Sequence, residues 1–291
     1  MSHPRSVAHI FPARPTIEGA GVHLKRAFGF HQVPVFDPFL MLDDFHSQNP
    51  DDYLPGFPWH PHRGIETVTY VLEGEVEHGD SLGNKGTIRP GQVQWMTAGS
   101  GIVHQEMPQG IKDRLWGLQL WVNLPRSHKM MPPRYRDVHA DDIPLVEPAK
   151  GVAVKIIAGR MPGALGPVRD IVDEIEYLDV SLEPGVRFEH LPKKGQMAFA
   201  YVLKGEGAFD RPGKTIVGHE NAVLFNEGDE LDIKSGDKPL RFILLCGRPL
   251  REPVAWQGPI VMNTDEELDL AFREYRDGTF LRHSGDKRPM R

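Results

Sequence analysis

The chain has 291 residues, of which 40% are hydrophobic and 25% charged, and these proportions indicate a globular protein with one large domain or two ordinary ones. Its net charge of −6 argues against a broad nucleic-acid surface, which would need a basic face. No apolar segment reaches the roughly 18–20 residues that span a bilayer, so we expect neither a membrane nor direct nucleic-acid binding.

The first five residues contain no apolar core of a secretory signal, so we expect a cytoplasmic setting, and a nuclear one stays open if the source is eukaryotic. Cys246 is the single cysteine, which rules out an intrachain disulfide. It lies in an apolar run at 240–247 that predicts a buried strand. A core thiol with no evident histidine partner is usually inert, so we do not expect Cys246 to be a nucleophile.

In chain order, short apolar runs separated by glycine and proline turns predict strands. The first two are expected at 19–28 and 37–45, with Asp43 and Asp44 interpreted as solvated turn formers. Further strands are expected at 67–78, 90–97, 102–106 and 115–124. A glycine-rich turn at 79–86 lacks the Lys-Ser/Thr ending of a phosphate-binding loop, so it predicts a plain hairpin.

Two pairs of metal-donor residues share an i, i+2 spacing, His60 with His62 before the strand at 67–78 and His104 with Glu106 in the strand at 102–106. Residues i and i+2 of a strand project from the same face, so each pair directs two donors at one point. Three imidazoles and one carboxylate suit Fe(II), Mn(II), Ni(II), Cu(II) or Zn(II). The alternative is that these are surface histidines in a turn and at a strand edge.

The second half of the chain repeats the first. The segment from Phe57 to Gly64 aligns without gaps with that from Phe188 to Gly195, and 70–75 matches 201–206 except at one position. A repeat on this scale indicates two copies of one β-module. The alignment pairs His60 and His62 with Leu191 and Lys193. With two residues of slack in the loop, it pairs His104 and Glu106 with Ile233 and Ser235, so we expect only the first copy to bind metal. A single insertion would place His190 differently.

We place the domain boundary near residue 140, which predicts a metal-binding domain at 1–140 and a second domain at 141–291. The second domain is expected to end in an amphipathic helix at 264–277. Thr264 and Glu267 form a capping box, and Gly278 is placed to end the helix. The tail from residue 280 is basic, and we expect it to be frayed.

The chain resembles the pirin family of the cupin superfamily. The motifs that carry the resemblance are His-Pro-His-Arg-Gly-x-Glu-Thr-Val at 60–68, Gln-Trp-Met-Thr-Ala-Gly at 94–99 and Gly-Ile-Val-His-Gln-Glu-Met-Pro at 101–108. The resemblance implies an all-β fold of two tandem cupin β-barrels, a bicupin, with a C-terminal α-helix. It also implies an iron site whose ligands are His60, His62, His104 and Glu106.

The general cupin pattern would instead use Glu66 as the carboxylate ligand. Gly64 is placed to bulge the strand and turn Glu66 aside, so we prefer Glu106. We expect Glu66 beside the ligands or in a salt bridge to Arg63. Candidate pocket residues are Phe57, Trp59, Trp95 and Met96, whose alternative role is core packing.

The resemblance implies quercetin 2,3-dioxygenase activity, in which O₂ opens a flavonol ring and carbon monoxide is released. Glu106 is then the candidate catalytic base. Fe(II) is the expected cofactor, with Mn, Ni, Cu or Zn as alternatives. The second hypothesis is a non-enzymatic, iron-dependent redox cofactor of transcription or a regulator that binds a protein partner.

Overall fold

The structure, a computed structural model, describes residues 3–169, 171–211 and 213–283, which form strands and one C-terminal α-helix. The strands are β1 (Val7–Pro12), β2 (Arg14–Glu18), β3 (Val22–Phe28), β4 (Phe39–Ser47), β5 (Phe57–His62), β6 (Ile65–Glu73), β7 (Glu75–Asp80), β8 (Lys85–Ile88), β9 (Val93–Thr97), β10 (Ile102–Gln109), β11 (Leu115–Asn123), β12 (Arg134–Val138), β13 (Leu145–Ala149), β14 (Val152–Ala158), β15 (Arg160–Met161), β16 (Ala164–Leu165), β17 (Glu176–Leu182), β18 (Arg187–His190), β19 (Met197–Lys204), β20 (Glu206–Ala208), β21 (Ile216–Gly218), β22 (Asn221–Phe225), β23 (Leu231–Ser235), β24 (Leu240–Gly247), β25 (Ala255–Gln257) and β26 (Ile260–Met262). The helix α1 spans Asp265–Arg276, and short 3-10 turns lie at Phe30–Gln32, Pro50–Asp52 and Ala140–Asp142.

The first compact unit, here called the histidine unit, comprises Pro15–Pro34, Phe39–Ala140 and the described chain from Leu250 onward. Its seven-stranded sheet has the order β12-β9-β6-β11-β4-β3-β2, and its four-stranded sheet has the order β5-β10-β7-β8. The apolar faces of the two sheets pack on each other, with Met96 and Ile65 of one sheet against Ile102 of the other. Burying these faces is the main stabilising contribution to such a fold.

The second compact unit comprises the residues up to Arg14, Val35–Pro38 and Asp141–Pro249. It repeats the same plan, with a seven-stranded sheet in the order β1-β22-β19-β24-β17-β14-β13 and a four-stranded sheet in the order β18-β23-β20-β21. One apolar cluster joins the sheets, including Phe188 and Ile233 from the smaller and Phe242 from the larger. Strand content, duplication and C-terminal helix therefore follow the expected all-β architecture.

The chain changes unit between Ala140 and Asp141, but both ends depart from the expected bounds of 1–140 and 141–291. Strand β1 pairs with β22, which places the first residues in the second unit. Residues after Leu250, including α1, belong to the histidine unit. No local sequence signal predicts this exchange, because each terminal segment pairs with residues far away in sequence.

Helix α1 begins as its sequence predicts. The Thr264 hydroxyl accepts a hydrogen bond from the Glu267 amide at 3.2 Å, and the Glu267 carboxylate accepts one from the Thr264 amide. Leu268 and Ala271 are buried against Ile260 of β26 and Val103 of β10. The helix thus packs on the strand that carries His104.

Phe280, where we expected a frayed tail to start, is buried in the same cluster as α1. The rest of that tail, from 284 to 291, lies outside the described residues. Within the described ranges, no helix has both the length and the apolar character needed to cross a bilayer.

Candidate metal centre

The structure brings His60, His62 and His104 together in the histidine unit. One ring nitrogen from each lies within 4.8 Å of those of the other two. His60 and His62 come from β5, and His104 lies directly opposite His60 on the neighbouring strand β10. His62 and His104 are buried, whereas His60 is half-buried. The i, i+2 spacing therefore directs both β5 side chains to the face that His104 shares.

Backbone carbonyls fix how two of these rings are oriented. His60 Nδ1 donates to Pro58 O at 2.8 Å, and His62 Nδ1 donates to Pro259 O at 2.9 Å. A carbonyl only accepts, so each neutral ring carries its proton on Nδ1 and presents the Nε2 lone pair. The two Nε2 atoms lie 3.1 Å apart. Two ligand nitrogens at right angles and about 2.1 Å from one ion would be about 3 Å apart.

His104 supplies the clearest sign that the cluster is built for a ligand. Both of its ring nitrogens are buried and lack a hydrogen-bond partner among the described residues. Orphaned buried nitrogens of this kind are costly and call for a functional explanation. Burial lowers the pKa of His62 and of His104 well below the ordinary value, and it also lowers the pKa of His60. The three rings are therefore neutral at pH 7, the form that ligates metals.

Glu106 lies on β10 beside this cluster but outside the group of donors within 4.8 Å of one another. Its carboxylate accepts hydrogen bonds from Thr69 Oγ1 and from Gln119 Nε2, each at 2.7 Å. Its negative charge acts on His60, opposing the burial that lowers the pKa of that ring. Glu106 is thus a buried, oriented carboxylate at the edge of the three imidazoles.

Glu66 lies on the next strand, where its carboxylate accepts a 2.6 Å hydrogen bond from Thr97 Oγ1. Arg63, one of the two partners considered for Glu66, forms an ion pair with Glu274 of α1 at 2.6 Å. Strand β5 ends at His62 and β6 begins at Ile65, with Gly64 at φ +79° between them. The predicted break at Gly64 is therefore present and separates Glu66 from the strand of His60 and His62.

A cavity of about 550 Å³ opens beside His60 and His62. Its apolar wall includes Trp121, whose ring centroid lies 5.0 Å from that of His62, and Trp256, which packs on Trp121 at 5.6 Å. The remaining lining residues are Glu18, Gly19, Ala20, Arg26, Phe30, Met41, Asp43, Phe57, Pro58, Gln119, Gly258 and Pro259. An aromatic cavity with a few polar groups beside perturbed histidines is a typical small-molecule site.

Of the four predicted pocket residues, Phe57 alone lines this cavity. Trp95 and Met96 are buried, with Met96 in the core between the sheets. Trp59 is 51% exposed and lies against Gly79. The apolar strand at 115–124 predicts that Trp121 is core or pocket wall, and it lines the cavity. Trp256 and Phe30 enter the site only through tertiary packing.

Asp43 and Asp44 are buried, so their interpretation as solvated turn formers is wrong. The Arg26 guanidinium donates to both oxygens of Asp43, at 2.8 and 2.7 Å, and this pair lines the cavity. Burial raises the pKa of Asp43 to about 6, so the carboxylate is still ionised at neutral pH. Asp44 accepts a 3.0 Å hydrogen bond from the Trp116 indole. Their partners lie on other strands, which local sequence does not reveal.

The second unit contains a histidine at the position of His60, which the ungapped alignment misplaces. In the histidine unit Phe57 lies opposite Glu106 and His60 opposite His104, with a bulge between them. In the second unit Phe188 lies opposite Ile233 and His190 opposite Leu231, with no bulge. The counterparts of His60, His104 and Glu106 are therefore His190, Leu231 and Ile233. The extra residue in β5 explains the one-residue slip at His60. In the facing strand, the expected pairings of His104 with Ile233 and of Glu106 with Ser235 each fall two residues too late.

Comparison with known proteins gives matches over both halves of the chain. Residues 21–122 match the family described as Pirin, and residues 177–281 match the Pirin C-terminal cupin domain. A Pseudomonas aeruginosa protein named "Putative quercetin 2,3-dioxygenase" is 43% identical over 282 residues, which cover 96% of this chain and 99% of that protein. A pirin-like protein of Solanum lycopersicum is 44% identical over 279 residues, covering 96% and 94%.

Among solved structures, a crystal structure of quercetin 2,3-dioxygenase from Acinetobacter baumannii superposes with a TM-score of 0.87 at 30% identity. It covers 97% of this chain and all of that one. With two cupin units, a histidine cluster in the first and relatives above 40% identity along nearly the whole length, this chain belongs to the pirin family of cupin proteins.

Proposed function

We propose that this protein is a metal-dependent dioxygenase of the quercetin 2,3-dioxygenase type. The observation that carries the proposal is the convergence of three neutral imidazoles, two buried and one half-buried, beside an aromatic cavity. The names of the Pseudomonas and Acinetobacter relatives agree with this activity. The substrates are then a flavonol and O₂, and the products are a ring-opened ester and carbon monoxide, which together contain every atom of both substrates.

In this proposal His60, His62 and His104 hold the metal, and Glu106 is the fourth ligand or its close neighbour. Fe(II) is the proposed ion, with Mn, Ni, Cu or Zn as alternatives that the same donors accept. When bound, such an ion would favour the anionic form of a substrate hydroxyl and supply redox capacity. The carbonyls of Pro58 and Pro259 keep two of the ligand rings in the correct tautomer.

The cavity binds the flat substrate and excludes water. Trp121, Trp256 and Phe57 present aromatic faces and edges suited to a fused ring system. Gln119 and the Arg26–Asp43 pair provide donors and acceptors for ring hydroxyls. Orientation by such groups places the reacting ring beside His60 and His62 and contributes through proximity.

Glu106 is proposed to accept the proton of the substrate hydroxyl nearest the histidines. Thr69 and Gln119 hold its two oxygens, so the carboxylate is oriented before substrate arrives. A positioned base typically contributes about 10²–10⁴-fold to the rate. We therefore expect Glu106→Gln to lower kcat by about that factor while substrate binding changes less.

Glu66→Gln is the matched control, because it removes a second buried carboxylate that also accepts from a threonine hydroxyl. If Glu66→Gln abolishes metal binding and Glu106→Gln does not, Glu66 is the carboxylate ligand. If Glu106→Gln turns over at the full rate, the assignment of Glu106 as base is wrong.

The activity itself is tested by adding quercetin in air to protein reconstituted with Fe(II), Mn(II), Ni(II) or Cu(II). Loss of the visible absorbance and release of carbon monoxide should require the metal. His62→Ala should lose more than the roughly 10–100-fold that loss of an outer partner of a metal ligand costs. Stoichiometric iron without turnover of flavonols would contradict the enzyme proposal and favour the regulatory alternative.

A further inference from the structure

A second cluster of metal donors lies in the second unit, outside the site described above. Glu176, His190 and Cys246 each offer a ligand atom, and these atoms lie within 4.8 Å of one another. All three side chains are buried. His190 Nε2 and Glu176 Oε2 form a 2.8 Å hydrogen bond, which holds two potential ligand atoms side by side.

The two sheets of the unit bring these residues together. Glu176 and Cys246 are directly paired across β17 and β24 of the larger sheet, so their side chains share a face. His190 is the last residue of β18 in the smaller sheet. Donors from both sheets therefore meet between them, whereas His60 and His104 both lie in the smaller sheet of the histidine unit.

Strand register relates this cluster to the first site. His190 has the position of His60, as shown above. Tyr201 pairs with Ile243 in the second unit, and its counterpart Tyr70 pairs with Leu118 in the histidine unit. Cys246 and Trp121 each lie three residues after these partners, so Cys246 occupies the position of Trp121.

Across the next strand pair, Glu176 lies opposite Cys246 as Met41 lies opposite Trp121. The second unit thus lacks His104 and Glu106 but has a carboxylate and a thiol where the first has two apolar cavity-wall residues.

Charge and access suit a cation at this point. A thiolate and a carboxylate together neutralise a divalent ion, and the imidazole adds a neutral donor. A cavity of about 970 Å³ is lined by both His190 and Glu176, which provides a route from solvent. Arg160, Arg169 and Lys193 also line it, so an anion from solvent is favoured as a further ligand.

We propose that Glu176, His190 and Cys246 form a second metal site that binds Zn(II). Mixed sulfur, nitrogen and oxygen donors suit zinc, and three protein ligands leave one position open towards the cavity. This proposal is independent of the dioxygenase activity, because no donor is shared with the first site.

The test measures metal stoichiometry in the full-length chain. A His60→Ala/His104→Ala variant removes two donors of the first site. After dialysis against buffered Zn(II), this variant should retain one equivalent of zinc by elemental analysis. Substituting Co(II) should give a thiolate-to-metal charge-transfer absorption, which reports the sulfur ligand directly.

Adding Cys246→Ser should abolish that absorption, and Glu176→Gln or His190→Ala should weaken zinc binding by more than about 100-fold, since each removes a direct ligand. Lys193→Ala is the matched control, because it changes the cavity lining without removing a donor and should leave zinc binding unchanged.

If the first-site variant does not fold, the Co(II) absorption of wild type is compared with that of Cys246→Ser. The thiolate absorption is then expected in wild type alone. Absence of thiolate absorption in folded protein at saturating Co(II), or zinc retained equally by all three donor variants, would overturn the proposal.

Discussion

Gly64 connects the strand of His60 and His62 to the next strand at a position where the structure leaves no room for a side chain. Its φ is +79°, and an added Cβ would lie 1.9 Å from the carbonyl oxygen of Val261. Both the backbone conformation and the close approach of β26 therefore require glycine. The turn sets where β5 ends and how His62 is presented.

Gly64→Ala should lower the free energy of unfolding by about 2–5 kcal/mol, because backbone strain and a steric clash add. Gly83→Ala is the control: it has a similar φ of +92° with no atom within 4 Å of the added Cβ, so it carries strain alone and should cost about 1 kcal/mol. Urea denaturation of the two variants measures the difference. Equal costs would show that contact with Val261 is unimportant.

At the scale of elements, Lys129 joins three parts of the histidine unit. Its buried ammonium donates to Gly64 O at 2.9 Å, Asn123 Oδ1 at 2.7 Å and Val261 O at 3.0 Å. It thereby ties the turn after β5 and the end of β11 to β26. Burial lowers the pKa of Lys129 to about 7.

An unfolded chain keeps the lysine proton up to a pH of about 10.4, whereas the folded protein releases it near 7. Between these values the unfolded state binds more protons, so stability should rise with pH, by at most about 1.4 kcal/mol per unit. The measurement is the free energy of unfolding of wild type minus that of Lys129→Met between pH 7 and 9. If this difference in unfolding free energy does not change between pH 7 and 9, the three acceptors keep Lys129 charged in the folded protein.

Helix α1 is joined to the end of β5 through Arg63, the residue after His62. The buried guanidinium pairs with Glu274, donates to Ser100 O and Phe280 O, and lies 4.2 Å from the Phe280 ring centroid. Removing one partner of a buried pair leaves an uncompensated charge, which is strongly destabilising. This contact explains why α1 belongs to the histidine unit although it comes after the second unit in sequence.

Glu274→Gln should therefore lower the free energy of unfolding by about 2–4 kcal/mol. Glu73→Gln is the matched control, since its pair with Arg114 is exposed and 3.8 Å long, and should cost under about 1 kcal/mol. Thermal denaturation monitored by circular dichroism compares them. A Glu274 variant as stable as the control would show that the helix is held by apolar packing alone.

For the whole molecule, local sequence patterns predict the strands and the helix. They do not predict features that depend on pairing between strands far apart in sequence. Alternating apolar residues and glycine turns predict the strands, and the Thr264 capping box predicts α1. The local sequence of a terminal segment does not show which unit it belongs to. Strand β1, for example, pairs with β22, more than two hundred residues later.

The donor residues show the same division. His60, His62 and His104 follow from strand periodicity and lie together in the fold. A bulge in β5 shifts the ungapped alignment by one residue, which assigns Leu191 instead of His190 to the position of His60, as a single insertion was expected to do. Register, which only the fold provides, corrects that assignment. Glu176 and Cys246 meet only through the pairing of β17 with β24, which local sequence does not reveal.

Every functional role proposed for the histidine unit requires that its three imidazoles hold a metal ion. An anomalous difference map from a crystal of Fe(II)-loaded protein, recorded at the iron edge, tests it directly. We predict a peak about 2.0–2.2 Å from His60 Nε2, His62 Nε2 and one ring nitrogen of His104. An iron-loaded crystal with no peak between those rings, or with its iron bound elsewhere, would contradict the claim.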